Sequence, residues 1–268
     1  MEMPRLHGEI SNNDTIFFIA ADENYFHRYA IPLIKSIKAS FNYHIHFHLY
    51  NPSDFTKSYC KSTGIGYSYE YFDFKAIERA FQFYKIPPFN QEFIRRRSKM
   101  IKSLDNMGKL YNELIKTYYA CARFIRLYQL ISKPTYIIML DTDSLVRKTF
   151  ELPSKDFDIH IYEKNDKSHI NYTQHLASTV FYTGTEGSYN LLREHAMLIL
   201  DEFNKDTYYW FLDQETLDVC IQNYRKNPLE KKFVDFDMDL DSYIWCAKGK
   251  RKNMEIWIRE SLQFHSLP

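Results

Sequence analysis

Two aspartates stand where a buried strand ends. Asp141-Thr142-Asp143 directly follows residues 136–140 (YIIML), a run of large apolar residues typical of a strand that is buried on both faces. Side chains alternate along a strand, so Asp141 and Asp143 point the same way, and a bend just beyond the strand brings both carboxylates to one cation. Carboxylate pairs bind hard divalent ions such as Mg²⁺ or Mn²⁺, which leave positions for water and phosphate oxygens. The pattern therefore predicts a metal site that neutralises a departing diphosphate.

Two other interpretations of Asp-x-Asp remain open. The plainer one is that the aspartates cap a turn after the strand. The other is a haloacid-dehalogenase-like phosphatase, whose first aspartate is a nucleophile. That motif normally stands near the start of a chain and continues with Thr or Val two residues later, whereas here it lies in mid-chain and Leu145 occupies that place.

Strands and helices alternate around this motif. Strand 15–21, helix 25–41 and strand 45–50 form one βαβ unit. Further strands are predicted at 66–72, 157–162 and 179–183, and helices at 94–107, 110–131, 187–203 and 211–224. We expect a single α/β domain over 1–268 with a mostly parallel sheet flanked by helices. Ligands of such sheets bind at the carboxyl ends of the strands.

Composition excludes several function classes. The chain has 268 residues, of which 45% are apolar, so it can bury a large core. Lysine and arginine total 35 against 34 acidic residues, and this balance argues against nucleic-acid binding. The 7 glycines form neither G-x-G-x-x-G nor G-x-x-x-x-G-K, which excludes dinucleotide and P-loop motifs.

Cysteines and apolar segments bear on the compartment. The 4 cysteines lie far apart without C-x-x-C, as expected for reduced thiols rather than a disulfide framework or a zinc site. The N-terminal residues lack the apolar stretch of a signal peptide, and no apolar run approaches the ~18 residues of a membrane span. We expect a cytoplasmic protein without a transmembrane segment.

Five segments, in order, resemble motifs of the retaining sugar-nucleotide glycosyltransferases of GT-A fold, a family that includes glycogenin and bacterial lipopolysaccharide galactosyltransferases. The segments are residues 17–37, 118–130, 137–150, 210–217 and 264–265. The resemblance implies a GT-A (nucleotide-diphospho-sugar transferase) fold and transfer of a sugar from a nucleoside diphosphate, such as a UDP-sugar, to a glycan, glycolipid or protein hydroxyl. It also implies Mn²⁺ or Mg²⁺ as the cofactor.

The resemblance assigns roles to residues at matching positions. Uracil and ribose would be held by Ala20, Asp22, Asn24 and Tyr25. Arg123 would face the donor phosphate or sugar, and Asp213 and Gln214 would lie near the anomeric carbon. Asp141, Asp143 and His265 would bind the metal, with Thr142 among the donor-binding residues.

Two departures from the family pattern concern the phosphates and the sugar. The family usually has a glycine and then a diphosphate-binding lysine after its last histidine, but here Ser266 follows His265. The nearest substitute is the basic segment 247–252 (AKGKRK), in which Lys248, Lys250 or Arg251 could reach phosphate, although a solvated basic turn explains this segment equally well. Residues 177–179 read Ala-Ser-Thr where the family tends to have Asn-Ala-Gly. Donor sugar, acceptor and stereochemistry are therefore open, and a non-catalytic nucleotide-sugar or carbohydrate-binding module is a further alternative.

Two other clusters have plainer explanations. His44, His46 and His48 share one side of a strand and would suit zinc, but a half-exposed strand with the intervening apolar residues inward explains the alternation. The basic residues Arg95, Arg96, Arg97, Lys99 and Lys102 would suit an anionic acceptor, although a solvated helix face explains them too.

Overall fold

An eight-stranded mixed sheet forms the centre of the molecule. The computed structural model describes residues 3–73, 107–163, 174–205, 211–247 and 249–267. The strands of the central sheet are β1 (His7–Gly8), β2 (Thr15–Asp22), β3 (His44–Tyr50), β4 (Gly66–Glu70), β5 (Tyr136–Asp141), β7 (Ile159–Glu163), β8 (His175–Thr183) and β9 (Lys226–Pro228), in the order β1-β4-β3-β2-β5-β8-β7-β9. Neighbours among β4, β3, β2 and β5 are parallel, whereas β8 is antiparallel to β5.

A second, three-stranded sheet lies beside the end of β5. It contains β6 (Ser144–Val146), β10 (Val234–Asp235) and β11 (Ile244–Cys246), in the order β10-β11-β6. Strand β11 is antiparallel to β6, with Cys246 opposite Ser144. The sequence pattern did not predict these strands, because none of them exceeds three residues.

Helices cover both faces of the central sheet. They are α1 (Ile31–Ser40), α2 (Asp54–Ser62), α3 (Met107–Leu130), α4 (Glu186–Asn204), α5 (Leu212–Cys220) and α6 (Glu255–His265). Before α1 the chain makes a short helical turn, Glu23–Tyr25, and a π-helical turn, Phe26–Ala30. One core cluster packs α3, α4 and α5 against the sheet, and a second packs α1 on the opposite face.

The predicted strands and helices are confirmed wherever the structure describes them, with ends shifted by a few residues. The predicted helix at 94–107 and its basic cluster lie outside the described residues, apart from Met107. Within the described ranges, no helix combines the length and the apolar character needed to cross a bilayer.

The interpretation of β3 as a half-exposed strand is wrong. Strand β3 lies between β2 and β4, and the side chains of His46 and His48 are completely buried. Both rings share a hydrogen bond with the Ser68 hydroxyl at 3.0 Å. Burial lowers the pKa of His46 to about 3, so its ring is neutral. The alternation of histidines with apolar residues resembles that of a half-exposed strand, but the histidine face is covered, and the Ser68 hydroxyl pairs with one nitrogen of each of the two buried rings.

A buried ion pair lies under this histidine face. Arg126 on α3 binds the Glu70 carboxylate through Nε and Nη2, and both side chains are almost fully buried. The Tyr118 hydroxyl donates a 2.6 Å hydrogen bond to the same carboxylate. Burial raises the pKa of Glu70, but hydrogen bonding with His48 and the charge of Arg126 outweigh it and hold that pKa below its ordinary value. The pair therefore fixes α3 to the end of β4.

Arg126→Met should destabilise the protein by about 3–5 kcal/mol, because it leaves the Glu70 charge buried without its cation. Urea unfolding at neutral pH measures this loss. Arg259→Met, on an exposed position of α6, is the matched control and should change stability by less than about 0.5 kcal/mol. An exposed ion pair contributes less than about 1 kcal/mol to stability. If Arg126→Met lowers the free energy of unfolding by no more than that, the structural role of this ion pair is contradicted.

Candidate active site

The two aspartates flank a tight turn at the carboxyl end of β5. Asp141 is the last residue of β5 and pairs with Ala20 of β2, and β6 begins directly after Asp143. The Thr142 hydroxyl donates a 2.9 Å hydrogen bond to the Ala20 carbonyl. The turn is thereby fixed to the end of the neighbouring parallel strand. Three positions with assigned roles, Ala20, Asp141 and Asp143, thus lie together at the edge where α/β proteins bind ligands.

Arg123 on α3 connects this turn to α5. Its Nη1 donates to Asp141 Oδ1 at 2.5 Å, and its Nη2 lies 3.2 Å from Asp213 Oδ2. Nη2 also donates to the Ala177 carbonyl of β8 at 2.9 Å. Burial lowers the pKa of Arg123, but the two carboxylates more than compensate and raise it above its ordinary value. The guanidinium is therefore a fixed positive charge between Asp141 and Asp213.

Asp213 and Gln214 lie in the first turn of α5 and are both buried. Burial raises the pKa of Asp213, and the charge of Arg123 opposes that rise. The residue before the helix, Phe211, has φ of 80°, a left-handed conformation that costs an aromatic residue about 1–3 kcal/mol. Such strain, next to the two polar residues, is typical of functional sites.

The loop after β2 brings an aromatic ring to the same place. The Asp22 carboxylate accepts a 2.8 Å hydrogen bond from the Tyr25 backbone N–H, so it caps the turn that carries Tyr25. Asn24 is exposed in this turn. The Tyr25 hydroxyl accepts a 2.9 Å hydrogen bond from Lys252 Nζ, which lies 4.7 Å from the centre of the Tyr25 ring.

Sequence reasoning considered three other basic residues of the segment 247–252, but the residue that the structure places in the site is Lys252. Its ammonium forms an ion pair with Asp143 Oδ2. Lys250 is exposed, Arg251 binds Asp237 at 2.7 Å, and Lys248 lies outside the described residues. Burial lowers the pKa of Lys252, but Asp143 and the hydrogen bond to Tyr25 outweigh it, so the pKa is raised and the side chain is charged.

The possible metal ligands in the described part of the chain are Asp141, Asp143 and Cys246. One ligand atom from each lies within 4.8 Å of the other two. The structure does not bring His265 to this group: it is exposed at the end of α6, and its backbone carbonyl accepts a hydrogen bond from Lys35. Cys246 is the last residue of β11, and pairing with β6 places it beside the aspartates.

These side chains fit a divalent cation. The donor set is two carboxylates and a thiol, all three of which bind first-row divalent metals. Ser144, opposite Cys246, has a buried hydroxyl with no hydrogen-bond partner among the described residues. Burial, and then the nearby charge of Asp141, raise the pKa of Asp143 to about 6 although Lys252 opposes this. The carboxylates of Asp141 and Asp143 lie close together with little access to water, so a bound cation would stabilise their ionised forms.

The raised pKa predicts a pH dependence of stability in the absence of metal. Asp143 binds its proton more tightly in the folded state, so its contribution to stability is complete below pH ~4 and is lost as the pH rises through about 6. Between pH 5 and 7 this loss amounts to about 1 kcal/mol.

We expect the free energy of unfolding of Asp143→Asn to fall by about 1 kcal/mol less than that of the wild type when the pH rises from 5 to 7. Urea unfolding in the presence of a chelator measures this difference. The exposed Asp14→Asn should keep the wild-type dependence on pH. Equal pH dependence in Asp143→Asn and the wild type would contradict the raised pKa.

Comparison with known proteins identifies the fold. No family model matches the chain, and no curated protein sequence matches it. Solved structures do match. The galactosyltransferase LgtC, in complex with donor and acceptor sugar analogs, superposes with a TM-score of 0.55 at 10% identity, over 94% of this chain and 97% of that one. An active-site mutant of LgtC gives a TM-score of 0.53.

A second glycosyltransferase has the same architecture. GlyE of Streptococcus pneumoniae matches with a TM-score of 0.55 at 12% identity, and the match covers 94% of this chain but 61% of GlyE. At such identities the likeness establishes architecture rather than activity. The protein therefore has the GT-A fold of glycosyltransferases, as the sequence resemblance predicts.

Proposed function

We propose that this protein is a glycosyltransferase that moves a sugar from a nucleoside diphosphate donor, a UDP-sugar, to a hydroxyl of a glycan, glycolipid or protein. The observation that carries the proposal is the convergence of the Asp141-Thr142-Asp143 turn, Arg123 and Lys252 at the carboxyl ends of β2 and β5. This site lies on a fold that the chain shares with glycosyltransferases.

The donor-binding roles follow from the charges and shapes present. Tyr25 offers an aromatic face for the uracil, and Asp22 holds the turn that presents it. A divalent ion on Asp141 and Asp143, Mn²⁺ or Mg²⁺, supplies positive charge for the diphosphate. Lys252 is the lysine that binds the diphosphate, because its ammonium already lies between the Tyr25 ring and Asp143.

The transfer is proposed to retain the anomeric configuration. The bond between the sugar C1 and the diphosphate oxygen breaks, and a bond from C1 to the acceptor oxygen forms on the same face. The acceptor proton passes to the leaving phosphate oxygen, so no separate base is required. Asp213 and Gln214 would face the donor sugar, and the charge of Arg123 would oppose the rise that burial causes in the pKa of Asp213.

The phosphatase alternative fits the site less well. Its nucleophile would be Asp141, whose Oδ1 accepts a short hydrogen bond from the buried Arg123. A carboxylate engaged in this way is a weaker nucleophile, since its charge is already stabilised. Release of inorganic phosphate from simple phosphate esters, without a nucleotide donor, would favour the phosphatase. Tight UDP binding without any turnover would favour the non-catalytic binding module.

The full chain should release UDP slowly from UDP-sugars when Mn²⁺ is added. Asp143→Asn should lower this rate about 100-fold or more, because the charge stabilisation lost is several kcal/mol. A coupled UDP assay across a panel of UDP-sugars measures the rate. Asp241→Asn, at an exposed aspartate, is the control and should retain the wild-type rate. Release that does not depend on a divalent metal would count against the proposal.

Lys252→Gln should weaken UDP binding with Mn²⁺ present by about tenfold or more, since a charge-assisted contact to phosphate contributes about 1.5–3 kcal/mol. Lys250→Gln removes a nearby exposed charge of the same sign and should change affinity less than about threefold. Isothermal titration of both variants makes the comparison. Equal losses would mean that net charge matters rather than the position of Lys252.

A further inference from the structure

Cys246 is a buried member of the core cluster that packs α1, and it lies beside the aspartate turn. It ends β11 next to the aspartate turn, where the Ala247 backbone N–H donates to the Asp143 carbonyl at 3.1 Å. Its Sγ lies within 4.8 Å of a carboxylate oxygen of Asp141 and of Asp143. The sulfur is thus held by a two-strand ladder, rather than by a loop, in direct reach of both carboxylates.

The distances suit a single ion. Metal–oxygen bonds of about 2.1 Å and metal–sulfur bonds of about 2.3 Å keep the ligand atoms of one ion within about 4.4 Å of one another. The ligand atoms of Asp141, Asp143 and Cys246 lie within 4.8 Å of one another, so side-chain rotation would be needed to bring all three to one ion. The two carboxylates also offer four oxygens, so Arg123 on one and Lys252 on the other do not use up the acceptor positions.

Ser144 provides an independent observation. It faces Cys246 across the antiparallel ladder, where side chains of paired residues share one face. Its hydroxyl is buried and has no hydrogen-bond partner among the described residues. An unpaired buried hydroxyl costs about 1–3 kcal/mol, and a thiolate sulfur is an acceptor that would satisfy it.

We propose that Cys246 is a thiolate ligand of the divalent cation, forming with Asp141 and Asp143 a site that binds Co²⁺ or Zn²⁺ more tightly than Mg²⁺. The thiol releases its proton to solvent as the metal–sulfur bond forms. Thiolates favour transition metals over the hard ions that bind oxygen alone, so the cysteine sets the metal preference. The proposal rests on the proposed function, since it assumes that the two aspartates hold a cation.

The test is titration of the full, reduced, metal-free chain with Co²⁺. A thiolate ligand gives a sulfur-to-cobalt charge-transfer band in the near ultraviolet. Cys246→Ser should lose this band and should also weaken Co²⁺ binding. Loss of a residue that only supports a metal ligand weakens binding by about 10–100-fold, and we expect a larger effect here. Its Mg²⁺ affinity should change less than about threefold. Cys246→His should bind Co²⁺ without the band.

Three controls locate the band. Asp143→Asn should remove it, whereas Cys220→Ser and His265→Ala should leave it unchanged, because neither residue belongs to the ligand group. Co²⁺ binding that depends on Asp143 but gives no band in the wild type would overturn the cysteine ligand while leaving the proposed cation site intact. A band that persists in Asp143→Asn would also overturn it, and absence of any Co²⁺ binding would contradict both proposals. The wild-type spectrum is decisive even if a cysteine variant does not fold.

Discussion

The site depends on one buried charge, the guanidinium of Arg123, which joins α3 to β5, β8 and α5. A buried cation without partners would cost several kcal/mol, so the fold must deliver acceptors from each of these elements. One of them is a backbone carbonyl. The pairing of β7 with β8 shifts between Ile161↔Val180 and Tyr162↔Leu176, and this bulge contains Ala177, whose carbonyl accepts from Arg123. Arginine suits this position because its planar fork serves several acceptors at once.

The remaining charges make the site selective for cations. Arg123 and Lys252 face the three carboxylates of Asp141, Asp143 and Asp213, which leaves one negative charge in a region that is largely closed to water. The raised pKa of Asp143 is the consequence, because its ionised form is opposed first by burial and then by Asp141. Under the proposed function, a divalent cation would reverse the sign of the local charge, and the site would then favour a diphosphate. On that proposal, the same residues would disfavour phosphate without the metal and favour it with the metal.

The sequence alone predicts those features that depend only on residues near one another in the chain. Strands β2, β3 and β5 are continuous apolar or alternating runs, and the aspartate turn follows β5 without an intervening loop, so the position of the carboxylates follows from alternation and from the direction of the strand. Arg123, Asp213 and Gln214 came only from family resemblance, and the structure brings Arg123 to Asp141 and Asp213. The buried histidines of β3 were misinterpreted because an alternating sequence pattern does not reveal what covers the second face of a strand.

The site residues missed by sequence reasoning are placed by pairing between segments that are distant in the sequence. Cys246 and Lys252 reach the aspartates because β11 pairs with β6, and a three-residue strand carries almost no pattern of its own. His265 looked suitable because its side chain has the right chemistry and stands late in the chain, yet helix α6 ends on the side of α1, where Lys35 binds its carbonyl. Residue type and order along the chain cannot show that Cys246 reaches the aspartates while His265 does not. That outcome depends on which strand the C-terminal segment pairs with. A buried cysteine opposite a buried serine is informative only once that register is known.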